Sequence, residues 1–98
     1  MAGTSLEKEF ERELNERIRK IVKEVYKPLT FIQMIDKHGA IQATLRVVED
    51  EKQTEGFTRL LMENRVDLAV ENMVVDPKYQ PLFSDKAIFN SRRRLEMK

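Results

Sequence analysis

The residues with the most chemical potential crowd into positions 63–71, where Glu63, Arg65, Asp67 and Glu71 stand within one short stretch. Asp67 and Glu71 are four apart, so on a helix they share a face, and paired carboxylates there could exchange protons or hold a hard cation. A plainer arrangement uses the same side chains. Asp67 would be a helix N-cap, Glu71 a first-turn acid favoured by the helix dipole, and Arg65 their counter-charge. His38 is the sole histidine. It precedes Gly39 at an expected helix end, where the dipole favours a cation, and no motif ties a nucleophile to it. One histidine and no cysteine exclude the usual zinc sites. Glu49-Asp50-Glu51 lacks the ligand and glycine spacing of a calcium loop and reads as solvated charge. No cofactor, metal or small-molecule substrate is implied, and the expectation is a non-enzymatic chain.

The only basic run is Arg92-Arg93-Arg94. Consecutive residues fan through about 200° of a helix, so the three cannot make one flat patch, although Lys86, Arg93 and Arg94 project to similar directions. These four residues, Lys86, Arg92, Arg93 and Arg94, are the candidate nucleic-acid contacts, through phosphate and without sequence readout. Basic side chains near a helix C-terminus are also ordinary. Charge elsewhere gives no general attraction to nucleic acid. Residues 1–27 hold seven Lys/Arg against six Asp/Glu, residues 28–83 six against nine, and residues 84–98 five against two.

The elements that must carry these groups are helical. Ser5 to Tyr26 reads as a long amphipathic helix, acid-rich at its start and base-rich at its end, stopped by Lys27-Pro28. Glu13–Arg17 and Glu16–Lys20 are i,i+4 pairs in the better orientation. Its apolar stripe is Leu6, Phe10, Leu14, Ile18, Ile21, Val22 and Val25, about 160° of the circumference. Glu7 and Glu11 intrude on the first half, so residues 6–13 are expected to dock poorly on the home core. Leu6, Phe10 and Leu14 are therefore the candidate protein interface, for a partner chain or a second copy.

Beyond Pro28, Thr30 is placed to cap Phe31–Lys37, Gly39 to end it in a left-handed conformation, and Ala40 to about Glu49 to form the next helix. Thr54 caps a helix with Phe57, Leu60 and Leu61 inward, and Asn64 ends it, also left-handed. Val66 to Val75 alternates like a strand at Val66, Leu68 and Val70. Val66, Val70, Met73 and Val74 nevertheless keep helical spacing, and no second strand candidate exists to pair with. Asp76-Pro77 ends that helix, Tyr79, Leu82 and Phe83 form a buried turn, and Ser84 caps a last helix with Ile88, Phe89 and Leu95 inward. The expected fold class is all-α. It is a single small helical domain of five to six helices, with residues 1–27 as the long amphipathic helix and 28–98 as the compact part.

A family likeness sits in the second half. Gly56-Phe57, Leu60, Arg65, Asp67-Leu68, Val70-Glu71, Val74-Val75, Tyr79, Leu82-Phe83-Ser84, Ile88 and Arg92 to Leu95 resemble an uncharacterised bacterial and phage-associated helical module. With His38-Gly39-Ala40 and Leu45, the likeness covers residues 38–95. Leu61 stands where that pattern has tryptophan, and Asn64 where it has glycine. The resemblance implies a fold unit in a mobile-element or defence setting, and no reaction.

At 98 residues with 41% apolar content, the chain has enough for one modest core. It lacks an apolar run of membrane-spanning length, and a cysteine-free sequence fits a reducing cytoplasm. The expected function is a protein-interaction or regulatory module, self-association being one of its forms. The alternative is a nucleic-acid-associated accessory protein using the basic last helix.

Overall fold

The computed structural model describes residues 5–96. Among these there are six α-helices and two one-turn 3₁₀ helices, and no strand. In order they are α1 (Ser5–Glu24), α2 (Leu29–His38), α3 (Ala40–Val48), α4 (Glu55–Met62), α5 (Glu71–Val74) and α6 (Asp85–Leu95). The 3₁₀ turns are Val66–Leu68, ahead of α5, and Gln80–Leu82, ahead of α6. None of the described helices is long and apolar enough to cross a membrane.

Local chemistry sets most boundaries. The Oγ1 of Thr54 accepts from the Phe57 amide and the Ser84 Oγ from the Ala87 amide, each satisfying a free amide at a helix start. Asn64 has φ +59°, the left-handed conformation expected of it. Gly39 has φ +87° and ψ 163°, further from the helical region than a simple left-handed cap and open in practice only to glycine. It lets α3 begin one residue after α2 ends. Thr30 and Ser5 do not act as the expected caps. Thr30 lies inside α2, which starts behind Pro28 because the ring already fixes φ at −78°. Ser5 is part of α1 rather than the residue before it.

Residues 66–75 contain no strand, yet they are not one helix. Ala69 is extended between the 3₁₀ turn and α5. That break turns Val66, Leu68, Ala69, Val70, Met73 and Val74 all inward, more than one straight helix face could bury. Asp67 consequently caps nothing. Its carboxylate pairs with Arg65, which also reaches Glu24 at 2.6 Å and ties this turn to the end of α1. The same guanidinium holds both carboxyls below the usual range, chiefly through hydrogen bonds.

The core has two lobes joined along α1. Phe10, Leu14 and Ile18 enter one with Val48, Met73, Val74, Tyr79 and Phe83, whereas Ile21 enters the other with Phe57, Leu60, Val66 and Leu68. The expectation that residues 6–13 dock poorly is overturned. Phe10 is fully inaccessible, with the Tyr79 and Phe83 rings each edge-on to it at 5.2 Å, and Leu14 is 2% exposed. Leu6 packs against the same lobe. Glu9 and Glu13 explain the fit. Glu9 pairs with Lys78, and Glu13 accepts from the Tyr79 hydroxyl at 2.9 Å, so the acids of α1 clasp the 76–80 turn.

Tyr79 makes this clasp measurable. Burial first, and then its bond to the Glu13 carboxylate, push the phenol up to about 12 from 10.0. The unfolded chain releases that proton near the ordinary value while the folded chain keeps it. Stability present below pH 10 is therefore expected to be lost as pH rises through 12. Ultraviolet titration should find neither tyrosine at its ordinary position, because burial also raises Tyr26. Glu13→Ala should lower only the Tyr79 transition.

Candidate functional site

The one buried ion pair among the described residues lies under α6. Arg94 and Glu71 are each 2% exposed, with Nη1 donating to Oε2 at 3.1 Å. Arg94 was expected to face phosphate, and it does not. Its face of α6 is Ala87, Asn90, Ser91 and Arg94, a row of small or hydrogen-bonding side chains that lets the helix approach closely. The guanidinium passes through to the end of α3, donating to the carbonyls of Val47 at 3.1 Å and Lys52 at 2.9 Å, and also to Asp50. Asn90 donates to Val48 O at 2.9 Å and Arg93 to Glu51 O at 3.1 Å. Helix α6 thus supplies donors to carbonyls at the end of α3 and in the loop that follows it.

Glu71 is a first-turn acid of α5, as its position suggested, but it faces the interior. Burial raises its carboxyl, against the opposing pull of Arg94. The Ser91 Oγ and the Arg94 Nε are buried without a protein hydrogen-bond partner, which leaves this network polar capacity to spare. Such a group can serve catalysis or architecture. Here the guanidinium directs its bonds to three main-chain carbonyls and one carboxylate, and its work is to hold the loop.

That loop borders a cleft of about 600 Å³. Its walls are Ile18 and Ile21 of α1, Leu29, Phe31 and Met34 of α2, Val47 of α3, and Phe57 and Leu60 of α4. Leu68, Ala69, Val70 and Glu71 also line it. Lys27, Arg46 and Arg59, with Asp50, Glu55 and the enclosed Glu71, are the ionisable side chains of its lining. Gly56 sets the spacing on one side, since a Cβ there would stand 3.0 Å from the Tyr26 hydroxyl. Arg59 lies over the Tyr26 ring at 4.8 Å from its centre, a cation–π contact that steadies the same wall. Leu29 is left 52% exposed.

The outer face of α6 carries the remaining expected cations. Lys86, Arg92 and Arg93 are exposed, and among the described residues none of the three has a carboxylate within ion-pair distance. Phe89, expected inside, is 64% exposed among them. Ile88 and Leu95 do pack against the core, but Phe89 lies about 200° around the helix from Ala87, opposite the buried row. Ile88, Phe89 and Leu95 are all apolar, but helical geometry does not put the three on one face.

His38 ends α2, where the dipole would favour a cation, yet its imidazole is depressed by burial and by Arg46 and Lys37. Among the described residues no group of three His, Cys, Asp or Glu side chains is placed to hold a metal ion. No family model, curated protein or solved structure matches the chain. The likeness of Gly56–Leu95 to a phage-associated module stands on its residue pattern alone.

Proposed function

We propose that this chain is a non-enzymatic protein-interaction module whose contact surface is the cleft between α1, α2, α3 and α4. The observation that carries the reading is the cleft itself, about 600 Å³ with mainly apolar walls from four helices and charged groups among its lining. Cavities of this size and lining are where apolar anchors of ligands are held. The occupant is an apolar side chain of a partner protein segment, with Leu29 at the point of first contact. The surface first expected, Leu6, Phe10 and Leu14, is spent on the fold. A cytoplasmic location and a bacterial or phage mobile-element setting belong to the same proposal, the latter resting on the Gly56–Leu95 pattern.

Photo-crosslinking tests it. A crosslinking residue at position 29 of the full chain should capture a defined protein, and one at the exposed Lys20 of α1 should not. Excess wild type should compete the product away, whereas excess Leu29→Asp should not. Equal capture at both positions, or equal competition by both chains, would reject the cleft as the contact surface. Light scattering after size exclusion identifies the case in which the captured partner is a second copy.

A further inference from the structure

We propose that the outer face of α6 is a binding site for single-stranded nucleic acid, with Phe89 as a stacking platform for a base. An exposed phenylalanine contributes little to this fold, yet Phe89 is 64% open on a helix that has an alternative inner face. Its four nearest neighbours on the helix surface, three and four residues away, are Asp85, Lys86, Arg92 and Arg93. Three of these are cations, exposed and without a carboxylate partner among the described residues, although Arg93 also donates to the Glu51 carbonyl at 3.1 Å through one of its amino groups. Asp85 belongs to the first turn of α6, and Glu96 follows its last residue, so the acids stand toward the ends.

An aromatic ring bounded by cations matches the two parts of an unpaired nucleotide, a π-faced base and a phosphate on each side. A duplex hides its base faces and would leave Phe89 wet. A protein partner would need carboxylates in place of phosphates around one apolar anchor, and the test separates that case. Arg94 takes no part, because its guanidinium is enclosed with Glu71. Nor does this site share residues with the cleft, so either can fail without the other.

The chain has no tryptophan, so Phe89→Trp places a single reporter at the site without touching the core. Adding a short oligothymidylate to the full-length variant should quench its emission, and the same sequence in duplex form should quench it far less. The logarithm of affinity should fall with the logarithm of salt with a slope of about −2, three phosphate contacts at roughly 0.7 each. Fluorescence anisotropy of a labelled oligothymidylate with the unaltered chain gives the second reading. There Phe89→Ala should weaken binding by roughly 5- to 150-fold, the loss of one stacked base. Arg92→Ala with Arg93→Ala should reduce the slope by about 1.4. Absence of quenching, or equal affinity for duplex and single strand, overturns the proposal. So does a blue shift of the tryptophan that follows protein concentration alone, which would place a second copy on this face.

Discussion

Replacing Arg94 with alanine is expected to cost about 3–5 kcal/mol of stability, the range for breaking a buried ion pair on one side. The carbonyls of Val47, Asp50 and Lys52 lose their shared donor, and Glu71 keeps a carboxylate 2% exposed with no counter-charge. Arg92→Ala, two positions earlier and exposed, should change stability by less than about 0.5 kcal/mol. Urea denaturation at pH 7 reads both. The pH dependence has a defined sign. Burial raises the Glu71 carboxyl above its unfolded value, so its favourable contribution is complete below the unfolded pKa and is lost as pH rises through the folded one. The Arg94→Ala penalty should therefore shrink on acidification toward the ordinary glutamate range. Glu71→Gln should cost less than Arg94→Ala, because the guanidinium would keep its three carbonyl partners. Equal losses from Arg94→Ala and Arg92→Ala would show that the enclosed pair does not hold the loop.

The second large effect is at Phe10. Phe10→Ala should cost about 3–5 kcal/mol, comparable with the roughly 2–5 expected for Ile21→Ala at the other end of the same stripe. Phe10 is fully buried against the rings of Tyr79 and Phe83, and truncation opens a void in a close-packed interior. Phe89→Ala supplies the internal contrast. It removes the same atoms from an exposed position and should stay within about 0.5 kcal/mol. Thermal and urea melts of the three variants rank the phenylalanines directly. A small effect at Phe10 would return the first half of α1 to the solvent.

What was legible in the sequence was the local chemistry. Thr54 and Ser84 have the hydroxyls that helix starts require, Gly39 and Asn64 tolerate positive φ, and both act where their neighbours implied. The absence of a strand at 66–70 followed from the lack of a pairing partner. Tertiary partners were not legible. Glu7 and Glu11 break the apolar pattern of α1 in the sequence, whereas nothing there shows that Glu9 and Glu13 bind Lys78 and Tyr79, about two-thirds of the chain away. Arg94 was read as one of a basic run. Only the row Ala87, Asn90, Ser91, Arg94, small and hydrogen-bonding at helical spacing, hinted that α6 turned that side inward. Hydrophobicity alone ranks Phe89 above Ser91 for burial, and the fold reverses the order. The Glu71–Arg94 pair joins α5 to α6, its guanidinium reaches α3 and the loop after it, and no spacing rule connects them.

The clasp of α1 on the 76–83 segment also bears on how the molecule reaches this state. Its N-terminal helix has the propensity and end charges to form early, on the sub-microsecond to microsecond scale of isolated helices. The rings that cover Phe10 stand roughly seventy residues further along, so closing that loop comes late and is entropically costly. In the interval a preformed helix displays Phe10, Leu14 and Ile18 with nothing over them. Such a species is sticky at high concentration. The same stripe that anchors the finished core is the chain's main liability while it folds.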